Sequence, residues 1–509
     1  MPPGVKLPEL TRRSWLLGAC APLLAKPVAA AADERRKKLA ADPHRPQYHF
    51  LPPANWMNDP NGPIYFRGKY HMFYQHHPYG AYWANMHWGH AVSEDLVHWK
   101  HLPIALTPTP GGPDKDGVFT GCAVDDNGLP TLVFTGVNPE VQMIATSDEQ
   151  MLSWKKYDGN PIVKAPPEGL KVTGFRDPCV WKQGAEWRMI IGSGVKGEGG
   201  MALMYRSPDL RKWEYLHPLA KGPVQKPAKP GGIELSDMWE CPDFFPLGPK
   251  HVLVVSTGGK ASYFTGAYDG RHFEPLSLGQ TDFGCAYAPK TMPDAKGRRI
   301  YWAWIRERRT KEAHTAAGWA GVMSLPRVMT LGTGPALGME PAPELRSLRT
   351  KNVRIGPSAI PPGEQQLLKG VHGDCLEIVA ELDPGDARQC GLRVRCSPNG
   401  EEQVRIYYQR PQELLAVDTT RSSLGKEVST GVEQGSFHLA AGEKLRLQVF
   451  LDGSVIEVFA NGRFCLTERS YSTRLDSLGI GLFAEGGKAK LVSMDVWQVR
   501  PISPDRLTS

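Results

Sequence analysis

The chain has 509 residues, 41% hydrophobic and 22% charged, the composition of a soluble globular protein too long for one ordinary core, so two domains are expected. The formal net charge of +7 belongs mostly to the leader: residues 1–38 hold eight Lys or Arg against three acids, a surplus of five that leaves about +2 for the rest. A body so nearly neutral excludes electrostatic nucleic-acid binding, and no later run reaches about 18 uninterrupted apolar residues, which excludes a spanning helix.

At the N-terminus, Thr11-Arg12-Arg13-Ser14-Trp15-Leu16-Leu17 reads as a twin-arginine export motif. An apolar stretch and the small residues Val28-Ala29-Ala30-Ala31-Ala32 follow, so residues 1–32 are expected to direct export to the periplasm or exterior. Leu17-Gly18-Ala19-Cys20 offers a weaker alternative, a lipid anchor at Cys20, because the apolar run before it is short. Residues 33–45 are expected as a linker, with the one helical stretch around 33–41.

From residue 46 to about 345 a punctuation of Ser, Asp and then an aromatic recurs. It runs Ser93-Glu94-Asp95…Trp99, Ser147-Asp148…Trp154, Ser207-Pro208-Asp209…Trp213 and, more loosely, Asp269-Gly270…Phe273, with the aromatics 55, 59 and 60 residues apart. Short β-type runs such as Lys69-Tyr70-His71-Met72-Phe73-Tyr74-Gln75 and His251-Val252-Leu253-Val254-Val255-Ser256 alternate with Gly- and Pro-rich turns. Five periods of about 60 residues predict a five-bladed β-propeller over 46–345.

The punctuation then stops. Residues 346–360 are expected as a second linker, and 361–500 as an antiparallel β-sandwich, from strict alternation in Leu376–Leu382, Leu445–Leu451 and Val455–Phe459 with turns at Asp452-Gly453 and Asn461-Gly462. Residues 501–509 form a tail, and the fold class is all-β. The nine cysteines show no metal-type spacing. Cys122, Cys179, Cys241 and Cys285 are expected buried and reduced, whereas Cys390 and Cys396 are candidates for a disulfide.

Asp59, Asp177 and Glu240 stand 118 and 63 residues apart, close to two periods and one. Equivalent positions in a ring of blades converge on its axis, so three carboxyls are expected at one funnel mouth, the arrangement of a glycosidase. Locally, Asn58-Asp59-Pro60-Asn61-Gly62 also suits a turn. Arg176 keeps an adjacent acid ionised, and Glu240 between Trp239 and Cys241 lies in surroundings that raise a carboxyl pKa. The histidines at 71, 76, 77, 87 and 90 suit packing and hydrogen bonding better than a metal.

The strings Trp56-Met57-Asn58-Asp59-Pro60-Asn61-Gly62, Arg176-Asp177-Pro178 and Glu240-Cys241-Pro242-Asp243 resemble the signature motifs of glycoside hydrolase family 32, the β-fructofuranosidases. The likeness extends through Phe73-Tyr74-Gln75, Phe119-Thr120-Gly121, Gly318-Trp319-Ala320-Gly321 and Asp452–Phe459. It implies a propeller followed by a sandwich, a fructose-containing substrate and no metal or organic cofactor. It also implies Asp59 as nucleophile, Glu240 as acid and base, and Asp177 as transition-state stabiliser, in a retaining double displacement. Asn58, Gln75, Trp83, Phe119, Thr120 (Ser is usual there) and Arg176 match the family's fructose pocket, with Trp302 and Trp319 as walls on the approach side. The segment Ser256–Phe264 carries no acid, which favours levan or inulin over sucrose. Invertase, fructosyltransferase, an inverting arabinan-cutting propeller and a non-catalytic fructan-binding protein are the alternatives.

Overall fold

The computed structural model describes residues 32–228, 231–332 and 337–507; the leader with Arg12, Arg13 and Cys20 lies outside them. Among the described residues, five sheets between residues 55 and 341 precede two more between 349 and 499. The first five are a ring. Their inner strands are Asn55–Pro60, Val118–Asp126, Val172–Gln183, Glu240–Leu247 and Ala286–Pro293, and each sheet packs on the next, the fifth returning to the first. This is a β-propeller, and the two later sheets form a β-sandwich around a core that includes Leu376, Ile378, Leu392, Ile406, Val449 and Leu482.

The sequence punctuation is the turn into the outer strand. Asp95 Oδ1 accepts from the N–H groups of Val97 and His98, Asp209 Oδ1 from Arg211 and Lys212, and Asp269 Oδ1 from Arg271 and His272. The next residue, Leu96, Leu210 or Gly270, takes positive φ, and Trp99 and Trp213 donate their indole N–H to Leu96 and Leu210 carbonyls. An Asx turn plus an aromatic anchor is a strong local constraint, which is why the period is visible in the chain.

A clasp closes the ring. Trp319–Ala320 pairs parallel with Asn55–Pro60 of the first sheet, while Val322–Met323 pairs with Arg299–Ile305 of the fifth. Between them Gly321 has φ 78°, and a Cβ there would stand 1.9 Å from Met57 O, so only glycine fits. The helix expected around 33–41 is present at 32–41. A second, Lys311–Ala317, was not expected, although its N-cap Thr310 and left-handed Gly318 are ordinary start and stop signals.

Residues 346–360, expected as a linker, instead contain strands Arg349–Ile355 and Ser358–Ile360, both paired with Ala489–Val499. Their mostly exposed pattern is that of an edge, so the apolar alternation that reveals a strand is missing. Cys390 and Cys396 are both free. They lie six residues apart on the single strand Gln389–Cys396, roughly 20 Å at extended rise, far beyond the ~4.4–6.8 Å Cα separation a disulfide needs. Cys122, Cys179, Cys241 and Cys285 are buried and unpaired.

Propeller and sandwich share a buried ionic network. Arg327 of the fifth sheet pairs with Asp282 at 2.9 Å and with Glu457 of the sandwich at 2.9 Å; Glu457 also accepts from Leu325 N at 2.8 Å and meets His49 Nε2 at 3.1 Å. The other ring nitrogen of His49 meets Asp452 at 2.8 Å, and that carboxylate also receives the N–H groups of Gln47, Tyr48 and His49. These side chains are fully buried, so removing one partner leaves uncompensated charge. Glu457→Ala is expected to lower the unfolding free energy by about 3–5 kcal/mol, seen as a lower denaturant midpoint at unchanged m-value.

Candidate active site

Each inner strand loses register at the same level: between Met57 and Pro60, Phe119 and Gly121, Arg176 and Cys179, Glu240 and Asp243, and Tyr287 and Lys290. In four strands an X-Pro step sits in the break, namely Asp59-Pro60, Asp177-Pro178, Cys241-Pro242 and Ala288-Pro289, where proline has no N–H to give the ladder. Asp177, Cys241 and Ala288 have φ of 65°, 49° and 50°. A bulge re-aims the side chains it carries. The pairs Asn58/Asp59, Phe119/Thr120, Arg176/Asp177 and Glu240/Cys241 thereby join Tyr287, Gln75, Trp83, Glu140 and Trp304 around one pocket of about 390 Å³.

The three acids do converge, but one stands a residue away from strict equivalence. Asp59 and Asp177 directly precede proline, whereas Glu240 occupies the position of Asn58 and Arg176, and Cys241 takes the pre-proline place. A period that drifts by several residues per blade hides such an offset.

Neighbours hold each carboxyl in a defined orientation. Asp59 accepts from Thr120 Oγ1 at 2.7 Å and Asn58 Nδ2 at 3.0 Å. Asp177 accepts from Cys241 N at 2.9 Å. The Cys241 thiol lies 3.5 Å from Oδ2 of both aspartates, so those oxygens are no more than 7 Å apart. Arg176 donates to Glu140 at 2.9 Å and to Glu240 at 2.7 Å, with Asp177 at 4.0 Å. Glu240 also accepts from the Tyr287 hydroxyl, and Glu140 from Phe175 N.

Three carboxyls thus face one guanidinium, and the fourth, Asp59, lies beside Asp177 through the Cys241 thiol. Burial raises the pKa of Asp59, opposed by the donors Thr120 and Asn58 and reinforced by Glu240. Burial pushes Asp177 up to about 7, with Arg176 opposing and Glu240 and Asp59 adding to the rise. For Arg176 burial works against charge, yet Asp177, Glu140 and Glu240 outweigh it and keep it protonated.

Of the residues singled out in the sequence, Asn58, Asp59, Gln75, Trp83, Phe119, Thr120, Arg176, Asp177 and Glu240 line the pocket. Trp302 and Trp319 do not, and their assignment as pocket walls is corrected. Trp302, 1% exposed, packs against Trp99 in the core beneath the ring. Trp319, also 1% exposed, belongs to the clasp: it donates to Asp42 at 2.7 Å and lies under the guanidinium of Arg309, 4.3 Å from its ring centroid. The fifth sheet's wall is Trp304, two residues beyond Trp302 on the same strand, hence on the same face but nearer the mouth.

The sequence reading also missed Glu140, Cys241 and Tyr287 as pocket residues. Cys241 and Tyr287 could have been found from the repeated pre-proline pattern, because Tyr287-Ala288-Pro289 matches Asn58-Asp59-Pro60 in register. Glu140 lies in the turn before Val141–Ser147 and carries no such mark. The histidines at 76, 77 and 87 contact backbone carbonyls of Trp56, Tyr82 and Asn85, and His71 meets His90 at 3.1 Å.

A larger hollow of about 810 Å³ is lined by later residues of the same inner strands, such as Cys122–Asp125, Cys179–Gln183 and Lys290–Pro293, at the opposite end of the channel. Its deepest acid is already satisfied: Asp243 accepts from Thr291 N, Thr291 Oγ1 and Cys179 Sγ. The carboxyl cluster, not the volume, marks the reactive end.

Acids around a recess of this size can exchange a proton with a glycosidic oxygen and stabilise positive charge on a sugar ring, the chemistry of a glycoside hydrolase. Comparison with known proteins specifies the class. The model for the glycosyl hydrolases family 32 N-terminal domain matches residues 49–341, and that for the family 32 C-terminal domain matches residues 344–498. The chain belongs to glycoside hydrolase family 32. It is 34% identical to a levanase of Bacillus subtilis over 93% of this chain and 73% of that protein, and 35% identical to a sucrose-6-phosphate hydrolase of Zymomonas mobilis over 91% and 94%. Among solved structures, fructan 1-exohydrolase IIa from Cichorium intybus superposes with a TM-score of 0.81 at 29% identity, over 90% of this chain and 98% of that one. The protein is an enzyme of the fructosidase type.

The folded-state pKa of Asp177, about 7, exceeds the ordinary 3.8. Its contribution to stability is therefore fully present below 3.8 and lost as pH rises through about 7. Asp177→Asn removes this dependence. Its melting temperature relative to wild type is expected to climb between pH 4 and 7 and level off above, measured by scanning calorimetry across that range.

Proposed function

We propose that the protein is an exported, exo-acting β-fructosidase that releases terminal fructosyl units from levan or inulin by double displacement. Asp59, oriented by Thr120 and Asn58, attacks the anomeric carbon. Glu240, fixed by Arg176 and Tyr287, protonates the leaving oxygen and then activates water. Asp177 holds the sugar as positive charge develops. Burial raises the proton affinity of Asp177, whose pKa is pushed up to about 7. Retention requires the carboxyls of Asp59 and Glu240 to approach to about 5–5.5 Å.

The observation that carries the fructan reading is the segment Ser256–Phe264, which offers no acid to the leaving group. Its one cation, Lys260, is committed to Phe283 O, Gly284 O and Glu433. The levanase and fructan exohydrolase likenesses support the same reading. Sucrose hydrolysis is the second reading, favoured by the sucrose-6-phosphate hydrolase match over 94% of that relative. Parallel digestion of levan, inulin, sucrose and sucrose 6-phosphate decides between them: stepwise fructose from the polymers supports the first, and cleavage of the disaccharides alone supports the second.

Glu240→Gln is expected to lower kcat by about 10²–10⁴-fold, with the smallest loss for a substrate whose leaving group needs no proton. Asp59→Ala is expected to abolish fructose release while fructan is still bound. Early product of inverted anomeric configuration in a nuclear magnetic resonance time course would rule out the double displacement. Export through the leader is tested by replacing Arg12 and Arg13 with lysine, which should leave the protein in the cytoplasm.

A further inference from the structure

Residues 78–86 join strands Lys69–His77 and His87–Ser93 of the first sheet. This loop is tied down through its backbone. Asn55 Nδ2 donates to Pro78 O at 2.6 Å, Trp56 N to Gly80 O at 3.1 Å, His314 Nδ1 to Ala81 O at 2.6 Å, and His77 Nδ1 to Tyr82 O at 2.9 Å. A Cβ on Gly80 would lie 2.3 Å from the Tyr82 ring, so the loop is also tightly packed on itself.

This anchored loop presents two rings to solvent. Tyr79 is 78% exposed and Trp83 55%, more than any other aromatic among the described residues. Trp83 lines the pocket and meets Phe119 edge-on at 5.9 Å. Tyr79 stands edge-on to His77 at 5.9 Å and His87 at 5.7 Å, which prop its ring without covering it. Four residues separate the two rings along the chain, at most about 14 Å of backbone. Exposing an aromatic ring gains nothing for folding, whereas a ring already fixed in place loses little entropy when a ligand stacks on it.

We infer that Tyr79 forms an outer subsite that stacks against a fructosyl ring of the substrate chain beyond the bond being cut, extending the wall begun by Trp83. This rests on the fructan reading, because sucrose has no further fructosyl unit to occupy it. The ligand is thus an oligomeric or polymeric β-fructan.

The test compares wild type, Tyr79→Ala and Tyr79→Phe on sucrose, 1-kestose and long inulin and levan. Stacking of this kind corresponds to about 2- to 12-fold in affinity. In Tyr79→Ala the KM for long fructan is expected to rise by that factor relative to the KM for sucrose, while Tyr79→Phe, which keeps the ring, restores it. Equal changes in KM for polymer and disaccharide, or no change in either, overturn the subsite. Wild type that cleaves no fructan overturns the fructan reading instead. The subsite is then decided by calorimetric titration of inulin and levan fractions into Asp59→Ala with and without Tyr79→Ala, where equal affinity overturns it.

Discussion

Five inner strands abandon their hydrogen-bond ladder at one level of the ring, and the pocket is a product of that shared break. A regular strand would send Asp59 and Asn58, or Asp177 and Arg176, to opposite faces. The bulge brings both members of each pair to the mouth, and a following proline makes the break permanent in four strands. Residues 59, 177 and 240 are remote in the chain and adjacent in space because the break recurs once per sheet. Left-handed backbone at Asp177 and Cys241 costs on the order of 1–3 kcal/mol per residue, and the packed ring around it sustains that strain.

Charge crowding is the second consequence. Arg176 answers Glu140, Glu240 and Asp177 together, and burial raises the proton affinity of both aspartates. Such a cluster is poorly suited to stability and well suited to a cationic transition state. The cost is carried elsewhere, by a buried ionic network that fixes the sandwich to the propeller and by a glycine-hinged clasp joining the last sheet to the first.

Much of this was legible in the chain because the relevant constraints are local. The Asx turns at Asp95, Asp209 and Asp269 gave the period, and alternation with Asp452-Gly453 and Asn461-Gly462 gave the sandwich. The three acids were found because their spacing follows that period. Trp302 and Trp319 were misread because a tryptophan in a motif does not reveal which side of a strand or clasp it serves; burial decides, and burial is a tertiary property. Glu140 escaped because a loop placed it, with neither period nor proline to mark it. The edge strand Arg349–Ile355 escaped because it has little apolar surface to show.

Five like bends would make every side of the mouth equivalent, yet they are dressed unequally. Sheets one, three and four bring Asp59, Asp177 and Glu240, and the second brings Glu140, whereas the fifth offers the rings of Tyr287 and Trp304 and a buried methyl at Ala288. The mouth therefore has a compass: sheets three and four bring carboxyls without a ring, whereas Tyr287 and Trp304, Trp83 and Phe119 put rings on sheets five, one and two. A sugar, with its own hydroxyl-rich and hydrocarbon flanks, arrives already told which way to turn.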